Sequence, residues 1–248
     1  MISHFVAATD TRPVSAVPWP VKLVLALALI AQLLWQSSLA PPTATASALS
    51  PPADVAWFRV VSLGEPIATA QMLLLRLQAF DNQPGISVPY RDLDYDAVLS
   101  WLHTALALDA DTEYPLMMAA HLYSQVPDTR KQRQMLEFVH QQFLRDPEKR
   151  WRWLAHAAIV AKHRLNDLPL ALAYAEDIVR HARHAQSWAR QMRIFILEDM
   201  GEKDAAAVLL GGLLATDEVK DDAERHFLME RFEALRSAEK SSKPSEFR

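Results

Sequence analysis

Apolar positions follow two regimes along the chain. From Lys22 to Trp35 the sequence KLVLALALIAQLLW is apolar almost throughout, interrupted only by Gln32. From Trp57 to Ala238 the apolar residues instead form a succession of amphipathic runs with the helical repeat of about 3.6 residues, separated by short polar breaks. Runs that alternate with a period of two, bounded by turn dipeptides, are nearly absent. The pattern predicts an all-α protein with one apolar N-terminal helix.

The stretch from Val17 to Ala40 is 24 residues long and carries a single charge, Lys22. About 20 helical residues cross a hydrocarbon core of roughly 30 Å. Trp19 and Trp35 lie near its two ends, where indoles favour the headgroup interface, and Lys22 can extend toward the same interface. Residues 18–40 are therefore expected to be a single-pass anchor. A cleavable signal peptide is the competing reading, with Ala46-Ser47-Ala48 as its small-residue cleavage site. Against it stands the long preceding stretch, which carries Asp10 as well as Arg12. Arg12 and Lys22 precede the core and the next positive residue is Arg59, so residues 1–17 are expected in the cytoplasm and the rest outside it. In a Gram-negative bacterium that compartment is the periplasm. Residues 41–56, with Pro41, Pro42, Pro51 and Pro52, read as an extended linker.

Punctuation within residues 57–238 is explicit. Asp128, Asp167 and Glu202 open successive amphipathic runs, preceded by Pro127, Asn166 and Gly201. Pro147 and Pro169 suit the first turn of a helix. Residues Trp57 to Phe80 read as one further helix, residues 79–96 as the longest irregular stretch, Asp221 to Ala238 as a capping helix, and 239–248 as a disordered tail. Tyr114, Trp151 and Trp188 recur every 37 residues, each read as the opening of a helix, followed eight residues on by Leu122, Ile159 and Ile196. Two helices per 35 to 39 residues is the signature of an α-solenoid.

Several of these residues carry a likeness to a known family. Trp151 with Leu154, Trp188 with Phe195, the small residues Ala171 and Ala206, and Pro147 after FLRD match parts of the tetratricopeptide repeat pattern. The chain resembles that family over roughly residues 92 to 216. It departs from the pattern where Met118, Ala155 and Met192 replace the first-helix glycine, and its period exceeds 34. The resemblance implies a solenoid of antiparallel helix pairs that recognises a protein on its concave face. Arg152, His156, Arg190 and Arg193 are the residues it nominates for partner binding.

Charge sharpens the picture. Residues 50–129 carry 3 basic and 10 acidic side chains, residues 130–193 carry 13 and 6, and residues 194–248 carry 8 and 13. A middle segment of net +7 suggests an acidic partner for the solenoid face. With pI near 6.1, nucleic acid is not expected.

Sites of other chemistry are poorly provided for. The chain has no cysteine, so disulfides, thiol catalysis and Cys-ligated metals are excluded. His181 and His184 share a face if both are helical, but Arg180 and Arg183 would repel a cation. Asp92, Asp94 and Asp96 imitate the start of a calcium loop that then has Ala97 and His103 where Gly and Glu are needed. No cofactor or metal and no enzymatic activity is expected. The reading is a membrane-anchored scaffold, with an accessory subunit of a membrane complex, or a glycan-acting helical enzyme, as alternatives.

Overall fold

A computed structural model describes residues 17–39, 46–216 and 219–242, with side chains through Ser237. The expected cytoplasmic tail and part of the proline-rich linker lie outside the described residues, as do 243–248 of the expected disordered tail. The chain divides into two units, residues 1–45 and 46–248. In the first, helix α1 runs from Trp19 to Ser38 with Pro20 in its opening turn, and none of its residues is buried. It is the described helix long and apolar enough, by itself, to cross a membrane.

The second unit is almost wholly helical, so the all-α expectation holds among the described residues. Among the described residues, its packing includes positions well before Trp57. Leu49 is buried, Ser47 exchanges two hydrogen bonds with the Gln83 amide at 2.7 and 3.1 Å, and the Trp101 indole N–H donates to the Ser50 carbonyl at 2.8 Å. Residues 46–53 are therefore a strap laid along the body, where the sequence alone read only a spacer.

The expected single helix from Trp57 to Phe80 is two helices, α2 (Val55–Val61) and α3 (Pro66–Gln78), bent by 116°. The break has a local cause. Leu63 and Gly64 take positive φ of 50° and 95°, and Pro66 sits in the first turn of α3. Asp54 caps α2 through the Ala56 N–H. Next come a 3₁₀ turn, Ala79–Asp81, and a minimal antiparallel hairpin that pairs Asn82 with Ser87 and Gln83 with Ile86. That hairpin is a strand pair the helical pattern did not predict. α4 (Tyr95–Leu108) follows, packs on α3, and is capped by Asp94, which accepts from the Asp96 N–H at 2.9 Å. Asp96 lies in the first turn of α4 and accepts from the Gln134 amide, and Asp92 faces Arg91 at 3.7 Å, so the three acids are used in the helix start and local pairs.

α5 (Tyr114–Met117) opens as an α-helix, widens into a π turn over Met118–Leu122 and tightens to 3₁₀ over Tyr123–Gln125. Regular helices then alternate: α6 (Thr129–Arg145), α7 (Pro147–His163), α8 (Leu168–His181), α9 (Ser187–Asp199), α10 (Lys203–Leu214) and α11 (Asp222–Ser242). Asp128, Asp146 and Asp167 cap α6, α7 and α8 through the N–H groups of Lys131, Lys149 and Leu170. Because Asp146 caps α7 and Pro147 occupies its first position, Trp151 lies a full turn inside the helix and does not open it. Trp188 stands second in α9. α8 ends at His181, so His184 falls in the following turn and the two histidines do not share a helical face. Instead His184 faces Glu148 at 3.1 Å.

Each helix from α6 onward packs chiefly on its sequence neighbours, and α7 also touches α9. Leu74, Leu102, Leu136, Leu154 and Ile178 lie in the main core, while Ile194, Leu210 and Leu228 belong to a smaller one under α11. Many polar ties between elements span a similar length of chain, although Tyr95 reaches Tyr123 across 28 residues and Trp101 reaches Ser50 across 51. Gln134 reaches Asp96 across 38 residues, His140 reaches Asp177 across 37, Arg150 reaches Ala110 across 40, and Gln191 reaches Glu224 across 33.

Candidate interaction surface

Arg152 and His156 lie one turn apart on α7, on the side that meets the irregular turn of α5. The His156 ring stacks on His121 of the π turn, with centroids 3.6 Å apart and planes inclined by 24°. Trp153 stands edge-on to His121 at 6.0 Å, and its indole N–H donates to Glu113 at 3.2 Å. Arg152 approaches the same Glu113 carboxylate at 3.8 Å and lies 5.9 Å over the Trp151 ring. His121, Trp153, His156, Arg152 and Glu113 thus form one aromatic and charged cluster. Partial burial pushes the His156 pKa down, the neighbouring His121 adds to that, and a hydrogen bond with the Ala120 backbone opposes it. Its Nε2 is buried without a hydrogen-bond partner.

Arg190 and Arg193 belong elsewhere. Both project from α9 into a cleft of about 190 Å³ that also takes in Val179 of α8, Leu209 and Leu213 of α10, and Val219. Arg152 and His156 do not line it. The four nominated residues therefore fall into two groups, although the Trp151 and Trp188 rings of α7 and α9 meet at 5.7 Å. Trp19, Lys22 and Trp35 are all exposed on α1.

The basic middle segment is less of a bare positive field than its tally suggests. Lys149 pairs with Asp111 at 2.5 Å, Arg133 with Asp167 at 2.7 Å, Arg180 with Asp177 at 2.8 Å, and Lys162 with Asp199. Arg150 is buried, giving its guanidinium to the carbonyls of Gln142 and Ala110, both at 2.9 Å. Acids from the flanking negative segments do part of this work, so segment charges that look separate along the chain are interleaved in space. Among the described residues of this segment Arg130, Lys131, Arg145, Arg164, Arg183 and Arg193 are in no ion pair.

Sequence reasoning overlooked His121. Its signal was present, since it precedes His156 by nearly one repeat period, but only the stacking of the two rings gives that spacing meaning. Among the described residues no group of three or more His, Asp or Glu side chains is arranged to hold a metal ion. Comparison with protein-family models, curated proteins and solved structures finds no match.

Proposed function

We propose that this chain is a membrane-anchored helical scaffold that binds another protein rather than catalysing a reaction. In this reading α1 spans the bilayer with its N-terminus in the cytoplasm. The helices from α4 onward form a tetratricopeptide-like solenoid on the other side, in the periplasm if the cell is Gram-negative. One observation carries the reading. Many of the polar ties between elements, though not all, recur at separations of 33 to 40 residues, close to the period of 37 in the aromatic positions. A stack of helix pairs, in which each repeat contacts the next, produces that recurrence. Ala171 and Ala206, the matched small positions, are fully buried, as close helix packing requires. Ile159 departs from the scheme by being exposed where Ile196 is buried.

A partner would engage two separate patches, the His121–Trp153–His156 cluster beside the π turn and the α9 arginines in the α8–α10 cleft. Acidic side chains suit the latter, and exposed ion pairs of this kind are individually weak. The test is a joint reversal, Arg152→Glu with Arg190→Glu and Arg193→Glu, in the full chain purified from solubilised membranes. The expected result is loss of the principal co-purifying protein at low salt with the melting temperature retained. Equal recovery at low and high ionic strength removes the basic face from the proposal.

A further inference from the structure

We propose that the bare face of the α2–α3 hairpin docks on the lipid bilayer, as an interfacial element of the body; this rests on the reading that α1 is a membrane anchor.

α3 carries large apolar residues on both sides, with exposed Gln71 and Gln78 among those on the outer one. Ala70, Leu73, Leu74 and Leu77 form the buried side, toward α4. On the other side Ile67, Met72 and Leu75 are 58%, 67% and 57% exposed. A helix with large apolar side chains on both sides suits a core on each side or lipid on one, and only one side of α3 has a core. α2 continues the bare surface with Trp57 and with Val60, which is 75% exposed. The tip is the most telling position. Leu63 is 92% exposed and holds φ at 50°, so a large apolar side chain stands in water on a backbone conformation that leucine disfavours. Insertion of that tip into hydrocarbon removes the first of these penalties and gives the turn a purpose.

Three of the hairpin's charges are turned away from this surface or used in a cap. The fourth, Glu65, is exposed two residues from Leu63, at headgroup level when the tip is inserted. Residues 46–78 contain four charged side chains, Asp54, Arg59, Glu65 and Arg76. Asp54 caps α2. Both arginines turn back to the body, Arg59 donating to the Ala107 carbonyl at 3.1 Å and Arg76 lying 5.8 Å over the Trp101 ring. Together α2 and α3 are apolar enough for a span, but their 116° bend suits an element lying in the interface.

Lipid is favoured as the occupant because of reach. Six residues separate Leu39 from Ala46, a length of chain that extends to no more than about 25 Å. A body tethered so closely to a bilayer-spanning helix meets lipid at high effective concentration at all times. A protein partner would have to displace it.

The absence of cysteine permits single spin labels in the full chain, reconstituted in vesicles of neutral and anionic phospholipid. Labels go at Val60→Cys, Leu63→Cys and Met72→Cys, with Ile159→Cys on the exposed side of α7 as reference and Ile30→Cys reporting on α1. Oxygen partitions into lipid and a nickel chelate stays in water. The expected oxygen-to-nickel accessibility ratio at Leu63 and Met72 is clearly above that at Ile159, since the labels would sit at the acyl boundary. Hairpin labels as open to nickel as Ile159 overturn the proposal. Labels shielded from both reagents also overturn it, since a protein surface, another copy or a different chain, then covers the face. An aqueous Ile30 label overturns the anchor reading separately, and the hairpin labels decide the docking whichever way Ile30 reads. All substituted positions are exposed, so an unchanged helical circular dichroism spectrum is the control for folding.

Discussion

α3 and α6 each have one side covered by a neighbour, α4 for the first and α7 for the second, and their other sides differ in kind. α6 presents Arg130, Arg133, Glu137 and Gln141 to solvent, a polar stripe at helical spacing, with the Gln141 amide donating to Glu137 at 2.9 Å. α3 presents Ile67, Met72 and Leu75. Both helices satisfy the hydrophobic period on their covered sides, so the covered side says nothing about where the helix lives. The information is in the opposite side, where water tolerates α6 and gains nothing from α3.

The largest effects should come from the covered sides, equally in both helices. Leu74→Ala in α3 and Met135→Ala in α6 each remove a fully buried side chain and should cost about 2–5 kcal/mol, read from denaturant unfolding of the full chain in micelles. Met72→Ala, two residues from Leu74 but on the bare side, should change stability by no more than about 0.5 kcal/mol. A comparable cost at Met72 would mean that its side chain is covered and would dissolve the contrast. Next in size is Arg150→Met. It leaves the Gln142 and Ala110 carbonyls without their shared donor, and should cost roughly 1–3 kcal/mol in the same unfolding measurement.

A pH series sharpens the comparison, because the α2–α3 hairpin holds no histidine while His103 and His156 sit in α4 and α7. Both have pKa values lowered from 6.5, chiefly by burial, with Arg145 adding to the effect at His103 and His121 at His156. The unfolded chain therefore binds protons more readily than the folded one. Stability is full above pH 6.5 and is lost as pH falls through that value toward the folded pKa values. The melting temperature should drop on acidification, and His156→Gln should flatten the dependence. An unchanged slope in His156→Gln would assign the effect to His103 or elsewhere. A small effect also belongs to Arg133→Ala, which breaks a partly exposed pair with Asp167 and should cost no more than about 1 kcal/mol in thermal melts.

Helices α4 and α6 to α11 were legible because their signals are local: Asp128 and Asp167 as caps, Pro147 in a first turn, apolar residues three and four apart. The division between α2 and α3 was legible too, in Gly64-Glu65-Pro66, but the apolar run on both sides masked it. What escaped the sequence depends on distant partners. The strap is held by Gln83 and Trp101, 36 and 51 residues from the groups they bind, and nothing in its proline-rich composition announces them. The nominated site divided for a different reason. Arg152 stands one residue after Trp151 and Arg190 two after Trp188, a helical step of about 100° that points them differently, and Arg152 approaches Glu113 whereas Arg190 lines the α8–α10 cleft.

The Gln83 clasp on Ser47 has a mechanical consequence. Its side-chain amide both donates to and accepts from the Ser47 backbone, imitating one rung of a β-ladder, and three residues later the Trp101 indole holds Ser50. Tension entering the body from the N-terminal side is met first by this rung and then by the indole. Load passes into the small hairpin and into α4 before it arrives at α2, so a pull along the chain strains the middle of the fold and leaves its first helix in place.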